Sequence, residues 1–105
     1  MTLRAIGAEV GASGLPMSPT TEFTPGVRSV YVVYDYQNIP AGALIRHNWF
    51  RNGGSVHFVS FPWDRPVDGA THIVWVQRKP FQPGTYEVRV FVENDLQFVA
   101  NFIVK

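Results

Sequence analysis

Three histidines, His47, His57 and His72, are the residues of this chain best suited to acid–base or nucleophilic chemistry. A catalytic triad would need a serine, threonine or cysteine beside one of them and a carboxylate to orient the ring. Each histidine instead falls within a strand-like segment and has no recognised motif around it. His47 is two residues from Trp49, so strand alternation places it in the core or at the core edge. We therefore predict no catalytic residue and expect that the protein is not an enzyme.

Metal and phosphate chemistry have equally little support in the sequence. Asp64 and Asp68 are four residues apart, but prolines and an arginine lie between them. An acidic turn of this kind usually shapes only the backbone. No glycine-rich loop precedes a helix, so no phosphate-binding loop is predicted. Cysteine is absent, which excludes disulfides and thiolate chemistry. We predict no metal and no cofactor.

Composition limits the partners that this chain can have. Its 105 residues suffice for one domain spanning 1–105, and an apolar content of 46% is enough to form a core. The net charge is only +1, and no run of lysine and arginine forms the basic stripe that a nucleic-acid groove needs. No apolar run approaches the roughly 20 residues of a membrane-spanning helix. We expect neither nucleic-acid binding nor membrane insertion.

Apolar segments of strand length, separated by glycine and proline, fill the chain, and helical periodicity is nearly absent. The clearest segment follows Pro83-Gly84 and places apolar side chains at Tyr86, Val88 and Val90, as a half-buried strand does. Residues 1–24 combine one strand with an irregular stretch, whereas residues 25–105 hold the main sandwich. The pattern predicts about seven strands, at Thr2–Val10, Arg28–Gln37, Ala43–Asn52, Ser55–Phe61, Thr71–Arg78, Thr85–Glu93 and Leu96–Val104.

The order of features along the chain is more informative than any single one. A Pro-Gly pair precedes a strand rich in valine and tyrosine, Trp49 lies in the third strand, Pro83-Gly84-Thr85-Tyr86 opens the sixth, and Phe102-Ile103-Val104 closes the seventh. In these features, from Phe23 to Val104, the chain resembles a family of bacterial immunoglobulin-like modules appended to larger surface or signalling proteins. The resemblance implies an all-β, immunoglobulin-like β-sandwich of about seven antiparallel strands in two sheets. It also implies an extracellular or cell-surface location within a larger protein.

Four residues are expected to form the centre of this sandwich: Trp49, Tyr86, Val88 and Phe102. The indole of Trp49 would bury on the order of 200 Å². Tyr86 would form a tyrosine corner, with its hydroxyl bonded to backbone in the preceding turn, or else be an ordinary tyrosine at the core edge. Val88 takes the position where an antibody domain has a cysteine. Apolar packing around Trp49 must therefore replace that disulfide.

If Trp49, Val88 and Phe102 point inward, strand alternation turns another set of side chains outward from the same sheet. Apolar side chains with a charged rim are typical of protein–protein contacts. A bulge in the last strand could invert Val99. An exposed edge strand that adds to a partner's sheet is a second way to bind. The predicted contact face comprises Arg46, Phe50, Arg89, Phe91, Val99 and Ile103, with Glu87 beside them.

We therefore expect a non-catalytic module for protein contact, adhesion or spacing within a larger bacterial protein or assembly. A carbohydrate-binding module is the alternative, with Trp63, Phe81 and Trp75 as a platform for sugar rings. Trp63 and Phe81 lie beside prolines in loops, where they either face a ligand or close one end of the sandwich. A small hydrolase on a sandwich scaffold is a third class, which requires a histidine within hydrogen-bond reach of a serine and a carboxylate.

Overall fold

Alternating apolar residues between closely spaced turns produce an all-β protein. The computed structural model describes residues 1–66 and 68–105, and these contain eight strands and no helix. The strands are β1 (Thr2–Gly7), β2 (Glu22–Phe23), β3 (Ser29–Tyr36), β4 (Leu44–Arg51), β5 (Gly54–Pro62), β6 (Gly69–Val76), β7 (Gly84–Val92) and β8 (Asp95–Val104).

The strands form two sheets that enclose one core, as in a β-sandwich. One sheet has three strands in the order β1-β3-β6, and the other has five in the order β2-β8-β7-β4-β5. Neighbouring strands are antiparallel except β2 and β8, which run parallel. β3 lies between β1 and β6, which agrees with its apolar residues on both faces. The all-β, two-sheet prediction is confirmed, with one more strand than expected.

The additional strand is β2, which lies in the stretch predicted to be irregular. Its two residues are too few to show any alternation in the sequence. Phe23 anchors the strand, because its ring packs edge-on against Phe102 with 5.6 Å between centroids. The backbone N–H of Ile103 donates to the carbonyl of Thr21 at 2.8 Å, which ties the segment to β8.

Aromatic side chains from both sheets meet in the core. The ring of Trp49 on β4 is fully buried and lies edge-on to Trp75 on β6, with 5.5 Å between centroids. The ring of Tyr34 on β3 lies against that of Phe98 on β8 in a tilted arrangement, with 5.5 Å between centroids. Burial of Tyr34 away from water raises the pKa of its hydroxyl to about 12. These contacts hold the two sheets together in the absence of a disulfide.

Tyr86 at the start of β7 connects the core to the preceding turn. Its ring stacks on Phe102 with 4.8 Å between centroids, and its hydroxyl donates to the carbonyl of Gln82 at 2.7 Å. A buried tyrosine bonded to backbone a few residues upstream is the geometry of a tyrosine corner. Partial burial raises the pKa of the Tyr86 hydroxyl. The bond fixes the direction in which β7 enters the sheet.

The outer face of the three-stranded sheet is covered by the chain that follows β1. Gly7 faces Pro16, and a Cβ at Gly7 would lie 2.5 Å from the Pro16 Cβ, so only glycine fits there. Leu15 and Val33 both line a small groove on this face. Val33 is only 1% exposed although it lies outside the cluster between the sheets. Residues 8–16 therefore act as a cover for this face.

Candidate functional site

The residues of the predicted contact face lie side by side on three neighbouring strands of the five-stranded sheet. Arg46 on β4 is paired with Phe91 on β7, and Arg89 on β7 is paired with Val99 on β8. Because side chains alternate along a strand, these residues point away from the core that holds their sequence neighbours. We call this surface the outer face; it comprises Arg46, Phe50, Arg89, Phe91, Val99 and Ile103.

A bulge near the start of β8 does not disturb this arrangement. Val90 pairs with Phe98 while the next residue, Phe91, pairs with Leu96, so Gln97 is the extra residue of the bulge. The irregularity precedes position 99 and leaves the alternation from 99 to 103 intact. The bulge therefore does not invert Val99, as the sequence analysis had considered, and Val99 and Ile103 share one face.

Arg89 is the central polar residue of the outer face. Its guanidinium carbon lies 4.5 Å from the centroid of the Phe50 ring, within cation–π range. Its Nη2 donates to Oε2 of Glu87 at 3.1 Å, and the Arg89 side chain is 45% exposed. The arginine therefore shields an aromatic ring while its charged end remains in contact with water.

Arg46 contributes a second positive charge to the outer face. Its Nη1 donates to Oδ1 of Asn94 at 3.4 Å. Among the residues that the structure describes, no carboxylate lies within ion-pair distance of Arg46. The outer face holds two arginines, and Glu87 beside it pairs with one of them, so the face carries an excess of positive charge.

Phe58 extends this surface, although the sequence analysis did not include it. The side chain is 57% exposed and lies on β5, where Phe58 pairs with Asn48 of β4. Asn48 in turn pairs with Arg89, so Phe58 belongs to the same row of outward side chains. The alternation of His57, Phe58 and Val59 was visible in the sequence. It could not show which phase points outward, because that depends on the register with β4.

The loop aromatics proposed as a carbohydrate platform are not exposed, and that prediction is corrected here. Trp63 is 2% exposed and Phe81 is 3% exposed. Trp63 packs edge-on against Tyr36 at 4.6 Å, and its Nε1 donates to the carbonyl of Pro66 at 3.0 Å. Phe81 packs edge-on against Tyr86 at 5.7 Å. Each ring closes one end of the sandwich and shields the apolar side chains there from water.

Trp75, the third member of the proposed platform, is half-buried between the two sheets. The ring of His57 stacks on it in parallel, with 4.3 Å between centroids. Phe81 lies edge-on to the same indole at 5.0 Å. With one face against a histidine and an edge against a phenylalanine, Trp75 does not offer a flat, open ring to a sugar.

The histidines have structural surroundings. His47 is buried, and its Nδ1 accepts a hydrogen bond of 3.0 Å from Nε1 of Trp49. Burial, with a smaller contribution from nearby His57, lowers the pKa of His47 to about 4. Its ring is therefore neutral at pH 7 with the proton on Nε2. His72 lies on the other sheet, edge-on to Tyr31 at 5.2 Å.

Residues 1–66 and 68–105 contain neither a group of metal ligands nor a helix that could span a membrane. Within them, no three histidine, aspartate or glutamate side chains are grouped as metal ligands. The same residues include no helix with the length and apolar character needed to cross a bilayer. Comparison with protein-family models and with curated proteins gave no match to this chain.

Proposed function

We propose that this chain is a non-catalytic, immunoglobulin-like module that binds another protein through its outer face. The strand order supports the immunoglobulin-like assignment. Pairing of β4 with β7 and of β7 with β8, opposite a sheet that pairs β3 with β6, corresponds to the C-F-G and B-E pairings of immunoglobulin domains. A buried tryptophan on the third strand of that scheme and the tyrosine corner of Tyr86 are two further hallmarks.

The observation that carries the binding proposal is the exposed, mixed apolar and cationic character of the outer face. Phe50, Phe91 and Val99 are half-buried, and Ile103 is 42% exposed. None of these four packs against the core among the described residues. Apolar centres that carry arginine and aromatic residues are typical of protein interfaces.

Charge indicates the kind of surface that would bind there. Arg46 has no carboxylate partner in the described chain, and Arg89 forms an ion pair with Glu87. A protein surface with apolar side chains and one or two carboxylates would satisfy both arginines through bidentate hydrogen bonds. The resemblance to bacterial modules suggests that this partner is a neighbouring domain or protein at the cell surface.

The test uses two variants of the outer face and one matched control. Arg89→Glu and Phe91→Asp should weaken binding, whereas Arg4→Glu makes the same charge change as Arg89→Glu on the opposite sheet. Proteins captured from the source cells by the immobilised chain are identified, purified and titrated individually. We expect at least about a tenfold loss of affinity with each face variant and none with Arg4→Glu.

Two outcomes would overturn the proposal. In one, every purified binder has the same affinity for the face variants as for the wild-type chain. In the other, a glycan panel finds a ligand and no purified protein binds. Circular dichroism melting of each variant separates lost binding from lost folding, and Arg89→Glu is the safer variant because the Arg89 side chain is 45% exposed and already carries a charge.

A further inference from the structure

The four sheet edges of this molecule differ in how they are protected from pairing. β1 carries Arg4, whose Nη1 lies 3.2 Å from Oδ1 of Asp35, and β2 is only two residues long with Glu22 paired to Lys105 at 3.2 Å. Charge and short length are the usual means of blunting an edge strand. β5 has nine residues and β6 has eight, and neither contains a lysine, arginine, aspartate or glutamate.

Within β5, the stretch at residues 57–61 is free to pair. Trp49 pairs with His57 while Phe50 pairs with Ser55, so the bulge lies at Val56. Pro62, which has no N–H, ends the strand. Between these limits lie five residues without a bulge or a formal charge, and the exposed ring of Phe58 is among them.

β6 is also uncharged, but it is the poorer edge for self-pairing. Its one large exposed apolar side chain, Val76, is the last residue of the strand, whereas Phe58 lies inside the unbulged stretch of β5. Arg65 does not distinguish the two edges, because it lines a cleft with Val59 of β5 and with His72 of β6. In β5 the only titratable residue is His57, and partial burial lowers its pKa, so it is neutral at pH 7.

We propose that β5 pairs antiparallel with β5 of a second copy of this chain through residues 57–61. The two-fold axis passes through Val59, the middle residue of that stretch. Phe58 of one copy then lies beside Ser60 of the other, and His57 lies beside Phe61. A two-fold axis makes the contact closed and self-complementary, so it yields a dimer and not a fibre. The two five-stranded sheets become one continuous sheet.

A second copy is the occupant that this edge fits best, because antiparallel self-pairing places residues of the same strand opposite each other. A charge at the two-fold axis would face the same charge in the other copy, and charges close to the axis would lie near their own copies; the stretch has none. Five paired residues bury less than the roughly 1,200 Å² of stable interfaces, so we expect a weak dimer with a Kd of about 10–100 µM. This inference does not rest on the proposed function, which concerns a face and not an edge.

Cysteine cross-linking tests the register, because the chain has no cysteine of its own. Residues directly opposite in an antiparallel pair have Cα atoms roughly 4.5–5.5 Å apart, which suits a disulfide, whereas diagonal neighbours are about 7–8 Å apart. Phe58→Cys protein mixed with Ser60→Cys protein should form heterodimeric disulfides rapidly. Each variant alone should cross-link at least about tenfold more slowly, as should either one mixed with Asn101→Cys on β8.

Sedimentation equilibrium between about 1 µM and about 1 mM measures the association itself. Phe58→Lys should raise the Kd at least about tenfold, and Val76→Lys, at the end of β6, should not change it. A wild-type chain that remains monomeric over the whole range overturns the proposal, as does a dimer lost in Val76→Lys but kept in Phe58→Lys. Arg89→Glu should leave the dimer intact, so failure of this inference is distinguishable from failure of the outer-face proposal.

Discussion

The surfaces of the two sheets that point away from the core differ in what covers them. On the three-stranded sheet, residues 8–16 fold back so that Pro16 lies against Gly7, and Val33 is almost completely buried. On the five-stranded sheet, the described chain contains no such cover, and Ile103 remains well exposed. An irregular backbone segment thus covers the three-stranded sheet, whereas no described segment covers the five-stranded sheet.

The side chains of the two faces are suited to these different environments. Val33 on the covered face is aliphatic and needs to be removed from water. On the outer face, Arg89 lies over Phe50, so the ring is partly shielded while the face is free. A surface of this kind can remain in contact with water, because the arginine shields the ring, and its apolar side chains stay available to a partner. The difference indicates that the open face is adapted to solvent, whereas the covered face is an extension of the core.

The largest expected effect comes from placing a carboxylate on each face in turn. Val33→Asp would bury an unpaired charge and should lower the free energy of unfolding by about 3–5 kcal/mol. Val99→Asp, on the outer face opposite Arg89, should cost less than about 1 kcal/mol, because it can pair with that arginine. Urea denaturation of both variants measures the difference. Equal losses would show that the two faces do not differ in solvation.

The sequence predicted the two sheets and the phase of the main strands, because alternation along Tyr86, Val88 and Val90 depends only on which residues need burial. It did not predict β2, since two residues carry no period. It also could not predict the cover on the three-stranded sheet. The close approach of Pro16 to Gly7 joins the predicted first strand to a residue whose local pattern indicates only an irregular stretch.

The candidate site shows the same division between local and long-range information. The six outer-face residues follow from alternation in β4, β7 and β8, so they could be named from the sequence. The burial of Trp63 could not, because it depends on the Tyr36 ring beside it and on the Pro66 carbonyl. Phe58 was missed because its direction depends on pairing between β4 and β5. Local pattern gives the alternation along a strand, whereas tertiary pairing determines what surrounds each side and, in β5, which side points outward.

A second prediction concerns how the stability of the fold depends on pH. The group responsible is His47, on the inner side of the five-stranded sheet. His47 has its pKa lowered to about 4 in the folded protein, against about 6.5 in the unfolded chain. As pH falls below 6.5, the unfolded state takes up the proton first, so stability decreases until about pH 4 is reached. We expect a loss of about 3 kcal/mol across this window, with full stability retained above pH 6.5.

Chemical denaturation at a series of pH values between 7 and 4 measures this slope. In His47→Gln the group no longer titrates, and its amide oxygen can still accept the hydrogen bond from Trp49, so the slope should flatten. Carboxylates contribute mainly at the acid end of the series and are common to both proteins. A slope unchanged by His47→Gln would mean that another group is responsible for the acid sensitivity.

The smallest effect concerns the contacts that the outer face makes within itself. Arg89→Ala removes the cation–π contact with Phe50 and an exposed ion pair with Glu87, each worth about 0.5–1 kcal/mol or less. A double-mutant cycle with Phe50→Leu should give a coupling energy below about 1 kcal/mol. A coupling above about 2 kcal/mol would mean that arginine and ring stabilise the fold itself. In that case the open face would be a structural surface like the covered one, and the contrast between them would no longer point to a partner.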